Sequence, residues 1–157
     1  MSATPWEIRP ALVDDCLVIA RFNCCLAEET EGKSLNPDTI HAGVRALLLD
    51  PRHGSYFVAV EAGVVIGQIM HTREWSDWRN GEIWWLQSVY VHPDFRGRGV
   101  FSSLQRHVES LARSTVGVVG LRLYVETQNL RAQEAYRRLG FKDAHYAVME
   151  RLFETRE

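Results

Sequence analysis

"VYVHPDFRGRGVF", residues 89–101, decides the reading of this chain. Its first residues close the aromatic and β-branched run "IWWLQSVYV", which begins at Ile83 and reads as a strand. Pro93 and Asp94 turn the chain out of that strand, and helical spacing follows at once, with Leu104, Val108 and Leu111 on one stripe. The junction is therefore strand, glycine loop, helix. A helix start presents backbone N–H groups without intrahelical acceptors and a partial positive charge, so it binds phosphate if the backbone can come close. Gly97 and Gly99 permit that approach, and Arg96 and Arg98 add positive charge. A pyrophosphate fits such a loop. Two other phosphate loops do not match: no Gly-Lys-Ser/Thr triplet has the upstream glycine of a Walker loop, and Ser102 stands where a dinucleotide fingerprint needs its third glycine.

Outward from the junction, the chain alternates between the two periods. A short strand near Trp6–Arg9 precedes "ALVDDCLVIARFNCCLAEET", where Leu12, Cys16, Ile19, Phe22 and Leu26 recur at helical spacing. A second helix starts at Asn36-Pro37-Asp38, with Asn36 as cap and Pro37 at the first helical position. "SYFVAVEAGVVIGQIMHTREW" reads as two strands joined at Glu61-Ala62-Gly63, and the polar "SDWRNGE" as the loop before the next strand. After the helix over 102–116, "GLRLYVET" alternates like a strand, "NLRAQEAYRRLGF" is helical with Gly140 as its C-cap, and "AHYAVMERLF" is a final strand.

With 157 residues, 46% of them hydrophobic, and no repeat or linker composition, the chain reads as a single domain over 1–157. Eighteen Lys and Arg against 20 Asp and Glu leave a formal charge of −2, so no global field draws nucleic acid or an anionic membrane. No signal-like N-terminus and no apolar run of about 18 residues is present. Cys16, Cys24 and Cys25 lack paired spacing and read as reduced thiols, which together predict a cytoplasmic protein. His71, His92 and His145 show no ligand spacing, so no metal is expected.

"VYVHPDFRGRGVFSSLQRHVE" followed by "LRLYVETQNLRAQEAYRRLGF" resembles the GNAT superfamily of acyl-CoA-dependent N-acetyltransferases. The resemblance implies an α/β (α+β) fold: a mixed, mostly antiparallel twisted sheet of 6–7 strands flanked by about four helices. It implies acetyl-CoA as cosubstrate, with Arg96, Gly97, Arg98, Gly99 and Val100 matching the pyrophosphate loop, Phe101 departing from its small sixth residue, and Ser102 offering a hydroxyl behind it. Val89, Tyr90 and Val91 match the segment whose backbone pairs with the pantetheine arm. Asn129 matches a coenzyme contact and Tyr136 the acid that protonates the departing thiolate.

By that resemblance the reaction is direct transfer of an acetyl group to the primary amine of a small molecule. A peptide or protein amine is the alternative acceptor, and a non-catalytic acyl-CoA sensor the alternative role. Several relatives carry a glutamate where this chain has Gln87, and an amide accepts no proton at neutral pH. The base is then sought at Glu82, at Glu74 or Asp77 in the preceding loop, at Glu29 or Glu31, or in a water held by Gln87 and Ser88. Trp75, Trp78, Trp84 and Trp85 offer an aromatic pocket for an amine, although alternation sends Trp84 and Trp85 to opposite faces. The C-terminal strand offers an edge through which a homodimer can pair.

Overall fold

Ala62 and Gly63, both with positive φ (49° and 78°), make the tight turn at the centre of the sheet. Two left-handed residues in succession match the right-handed twist of the strands they join. In the computed structural model, which describes residues 3–154, this turn links β2 (Ser55–Glu61) to β3 (Val64–Ser76). Outside them lie β1 (Trp6–Pro10), antiparallel to β2, and β4 (Gly81–Val91), antiparallel to β3. A short β5 (Val118–Arg122) then runs parallel to β4, giving the order β1-β2-β3-β4-β5. The chain forms two compact units, Met1–Leu123 and Tyr124–Glu157, and the whole sheet belongs to the first.

Alternation along the strands assigns the helices to faces. Tyr56, Val58 and Val60 of β2 bury against Cys16, Ile19 and Ala20 of α1 (Cys16–Glu31) and Val44 of α2 (Pro37–Leu49). Asn36 caps α2, its Oδ1 accepting from the amides of Asp38 and Thr39. Phe57 points the other way, toward α3 (Val100–Ser114), where its ring lies 4.9 Å from that of His107. Val100, Leu104 and Val108 of α3 are fully buried. Gly67 makes that packing possible: a Cβ there would stand 3.1 Å from Val100 Cγ1 and 3.3 Å from Leu104 Cδ1.

The second unit carries α4 (Leu130–Arg138). Asn129 caps it by accepting from the amide of Ala132 at 3.1 Å, and Gly140, at φ 92°, follows its end. The fold class is the expected one, a mixed and mostly antiparallel sheet with four α-helices, but five strands are assigned among the described residues where 6–7 were expected. Residues 144–153 form no strand. His145 is in the left-handed region (φ 59°), which interrupts an extended run, and Tyr146, Val148, Met149, Leu152 and Phe153 are exposed. The sequence "AHYAVMERLF" predicts a final strand, whereas every one of its residues is exposed and unladdered. The strand expected over 120–127 likewise begins at Val118 and ends at Arg122.

Candidate active site

The strand ladder between β4 and β5 extends only from Glu82↔Val118 to Trp85↔Arg122. β4 continues for six more residues, Leu86 to Val91, with no strand beside it on that flank among the described residues. Within this free stretch β4 bulges. Gln68 pairs with Tyr90 and Met70 with Gln87, so Ser88 and Val89 together oppose Ile69. Ser88 takes φ 50°, an uncommon conformation for a residue with a side chain.

Beyond Val91 the chain makes a single 3₁₀ turn at Pro93–Phe95 and enters α3 through Gly97 (φ 75°) and Gly99 (φ 90°). A Cβ on either glycine would meet nothing within 4 Å, so the glycines are required by backbone conformation and the space beside them is open. Gly99 is the cap residue and has no side chain to satisfy the first turn. The first helical bond runs from Ser103 N to Gly99 O, and the first turn contains no acidic residue. Phe101 stands half-buried in that first turn, and the helix begins at Val100 despite its bulk.

Both loop arginines are held by carboxylates. Arg96 donates from Nε to Val91 O at 2.9 Å and from Nη2 to Glu29 Oε2 at 2.8 Å, with its guanidinium 5.2 Å from the Tyr90 ring centre. Tyr90 OH donates to the other Glu29 oxygen at 2.9 Å, and burial followed by that bond raises the phenol's pKa. Arg98 forks onto Glu61 at 2.7 and 3.3 Å and lies over the rings of Trp6 and Phe95. The structure thus brings Val89, Tyr90, Val91 and the 96–102 loop together, with Glu29 as an unforeseen anchor.

Gln87 donates from Nε2 to Thr72 Oγ1 at 2.6 Å, on the face shared with Trp85 and Glu74. Glu74 lies in β3 rather than in a loop and pairs with Arg122 at 2.8 Å, while the Arg122 guanidinium stands 5.6 Å from the Trp85 ring centre. Glu82 is five residues up β4 from Gln87, roughly 17 Å along an extended strand, and accepts weakly from Trp84 Nε1 at 3.4 Å. Trp84 is core, stacked on His71 at 3.9 Å; Trp75 and Trp78 are exposed. The four tryptophans therefore do not line one pocket. In the second unit, the Tyr136 ring meets Phe141 edge-on at 5.6 Å, and burial pushes its hydroxyl up to about 12.

Sequence reasoning missed a buried polar cluster beneath the bulge. Gln68, fully buried, donates from Nε2 to Asn23 Oδ1 (3.0 Å) and to Ser88 O (3.1 Å), and Asn23 donates to Tyr56 OH (3.0 Å). The one available signal was an amide inside the apolar run "VVIGQIM". Among the described residues no group of three or more His, Cys, Asp or Glu could hold a metal, and no helix is long and apolar enough to cross a membrane.

A mixed sheet whose fourth strand outruns the fifth, bulges and feeds a glycine loop at a helix start defines the architecture of an acyltransferase of the N-acetyltransferase type. The acetyltransferase (GNAT) family model matches residues 20–141, and the chain belongs to that family. A crystal structure of a possible acetyltransferase from Clostridium difficile 630 superposes with a TM-score of 0.89 at 43% identity, covering 97% of this chain and 100% of that one. Thialysine N-ε-acetyltransferase of Bos taurus is 34% identical over 79 residues, 50% of this chain and 45% of the bovine protein. An uncharacterized N-acetyltransferase of Methanocaldococcus jannaschii is 32% identical over 89 residues, 56% of this chain and 39% of that protein. The matches thus span less than half the length of these two relatives.

Proposed function

We propose that the protein transfers an acetyl group from acetyl-CoA to the primary amine of a small molecule, directly and without a covalent enzyme intermediate. The observation that carries this reading is the continuous run of bulged, unaccompanied β4, positive-φ glycines and a helix start with no acid in its first turn, a set of main-chain groups suited to a thioester arm and its diphosphate. The open space beside Gly97 and Gly99 fits a phosphate against the backbone. The coenzyme supplies an activated acetyl thioester. The amides of the α3 first turn, with Arg96 and Arg98, hold the diphosphate end, Ser102 adds a hydroxyl, and Val89, Tyr90 and Val91 offer backbone to the arm. Asn129 and Tyr136 take their roles from the family motif, as coenzyme contact and as proton donor to the thiolate. A phenol raised to about 12 stays protonated across the working pH range, so the proton is present when required.

Gln87, tied to Thr72, orients the acceptor side and leaves the amine's proton to water or to a carboxylate; Glu82 is the sequence candidate, and Glu74 shares the Gln87 face. The thialysine side chain ends in a primary amine, and the similarity to the bovine enzyme supports a small amine acceptor over a peptide. The family match crosses both compact units, which supports one acetyltransferase domain over 1–157. The test is a panel of amines with acetyl-CoA, followed by thiol release, with Tyr136→Phe beside the wild type. Thiol release should fall by about 10²- to 10⁴-fold in the variant while acetyl-CoA still raises its melting temperature. A wild type that binds acetyl-CoA but releases no thiol with any amine is the non-catalytic sensor instead.

A further inference from the structure

The peptide between Ser88 and Val89 sits in the bulge, and its two ends face opposite ways, because a trans peptide sets C=O and N–H antiparallel. Its carbonyl end is occupied: Ser88 O accepts from Gln68 Nε2 at 3.1 Å, beneath the strand. The same nitrogen donates to Asn23 Oδ1 at 3.0 Å, and two oxygen neighbours fix the nitrogen as the inward atom of the Gln68 amide. Asn23 in α1 is buried and in turn bonded to Tyr56 OH of β2. The Val89 N–H is consequently directed away from Gln68, on the stretch of β4 that β5 does not accompany.

Ser88 at φ 50° costs on the order of 1–2 kcal/mol relative to an extended residue, so the surroundings must impose it. Gln68 is fully buried and its Oε1 finds no partner among the described residues. A buried amide with an unmet acceptor is a liability for stability alone. Its nitrogen, however, meets two oxygens and holds the bulge carbonyl. An accepted hydrogen bond at the carbonyl also polarises the peptide and strengthens its N–H as a donor.

From this geometry we infer that Gln68, braced by Asn23, is a positioning residue that aims and polarises the Val89 N–H as the main-chain donor to the carbonyl oxygen of the acyl thioester. The inference rests on the acetyl-CoA reading above and adds the residue that sets its donor. Gln68 does not touch the reacting atoms; it acts through one peptide plane.

The test uses the full chain labelled for amide NMR, titrated with acetyl-CoA and separately with coenzyme A, which lacks the acetyl carbonyl. In the wild type the Val89 amide should move with acetyl-CoA beyond its shift with coenzyme A, whereas the Gly99 and Ser102 amides should move equally with both. Gln68→Met should abolish the difference at Val89 and lower kcat at least about tenfold, short of the 10²- to 10³-fold loss of a whole donor, with KM for acetyl-CoA within about threefold. Gln68→Glu, whose buried neutral carboxyl can still donate to Ser88 O, should recover part of that kcat and lose it as pH rises. If Gln68→Met fails to fold, Asn23→Ala, which removes the acceptor that braces Gln68 Nε2, reads the same two quantities. A Val89 amide indifferent to the acetyl group while Gly99 responds overturns the positioning role alone. If no amide from 97 to 102 responds to either ligand, the acetyl-CoA reading fails and the positioning role fails with it.

Discussion

Gly99 concentrates the residue-scale chemistry. At φ 90° it admits a side chain only with strain, and with open space around it the cost is conformational, not steric. Gly99→Ala should therefore destabilise the fold by about 1–2 kcal/mol and weaken acetyl-CoA binding by about tenfold or more, as the first-turn amides tilt; a denaturant melt and a binding isotherm read both. Gly97 and Gly99 were legible because a glycine pair set between a strand period and a helix period marks a turn whose backbone needs positive φ. The partners of the arginines were not. Glu29 is 67 residues from Arg96 and Glu61 is 37 from Arg98 in sequence, and nothing local marks a carboxylate for a distant cation. Gln68 escaped for the opposite reason: an amide in an apolar strand announces burial but not the atom it serves.

At the scale of elements, α3 is fixed to the sheet by the absence of a side chain at Gly67. Its approach to Val100 and Leu104 is already at 3.1–3.3 Å for a methyl group. Gly67→Ala should push the start of α3 away from β3 and destabilise by about 1–3 kcal/mol, with weaker acetyl-CoA affinity, since the residues displaced are those proposed to hold the phosphate end. Urea melts with a ligand titration check both. Elements with strong periodicity or chemical punctuation, such as α2 with its Asn-Pro start and the Ala62-Gly63 hairpin, stood where expected. The tail over 144–153 did not. Its residues read as a strand, but a strand exists through ladder hydrogen bonds, which composition does not supply.

Across the molecule, the face that packs on α3 sets the acid limit of stability. His71 lies between the Phe57 and Trp84 rings, and burial lowers its pKa to about 4, with Arg73 nearby adding to the effect. His107, its ring 4.9 Å from that of Phe57, is lowered by burial in the same direction. Each binds its proton more readily unfolded than folded, so the contribution of these two histidines should be constant above about pH 7 and fall as pH drops from about 6.5 toward 4. His71 alone accounts for up to about 3 kcal/mol of that loss. Thermal melts across pH 8 to 4 test this, and His71→Phe should flatten the decline.

The carboxylates that grip Arg96 and Arg98 give the glycine loop a dependence on remote parts of the polypeptide. The glycines travel with the short segment 89–101, but the charges that steady its cations are contributed by α1 and by the end of β2. Grafted onto another scaffold, that segment would bring its turns and leave its arginines untethered. During synthesis the tethers emerge from the ribosome first and wait for the loop, so its arginines are held only after the amino-terminal half has met them.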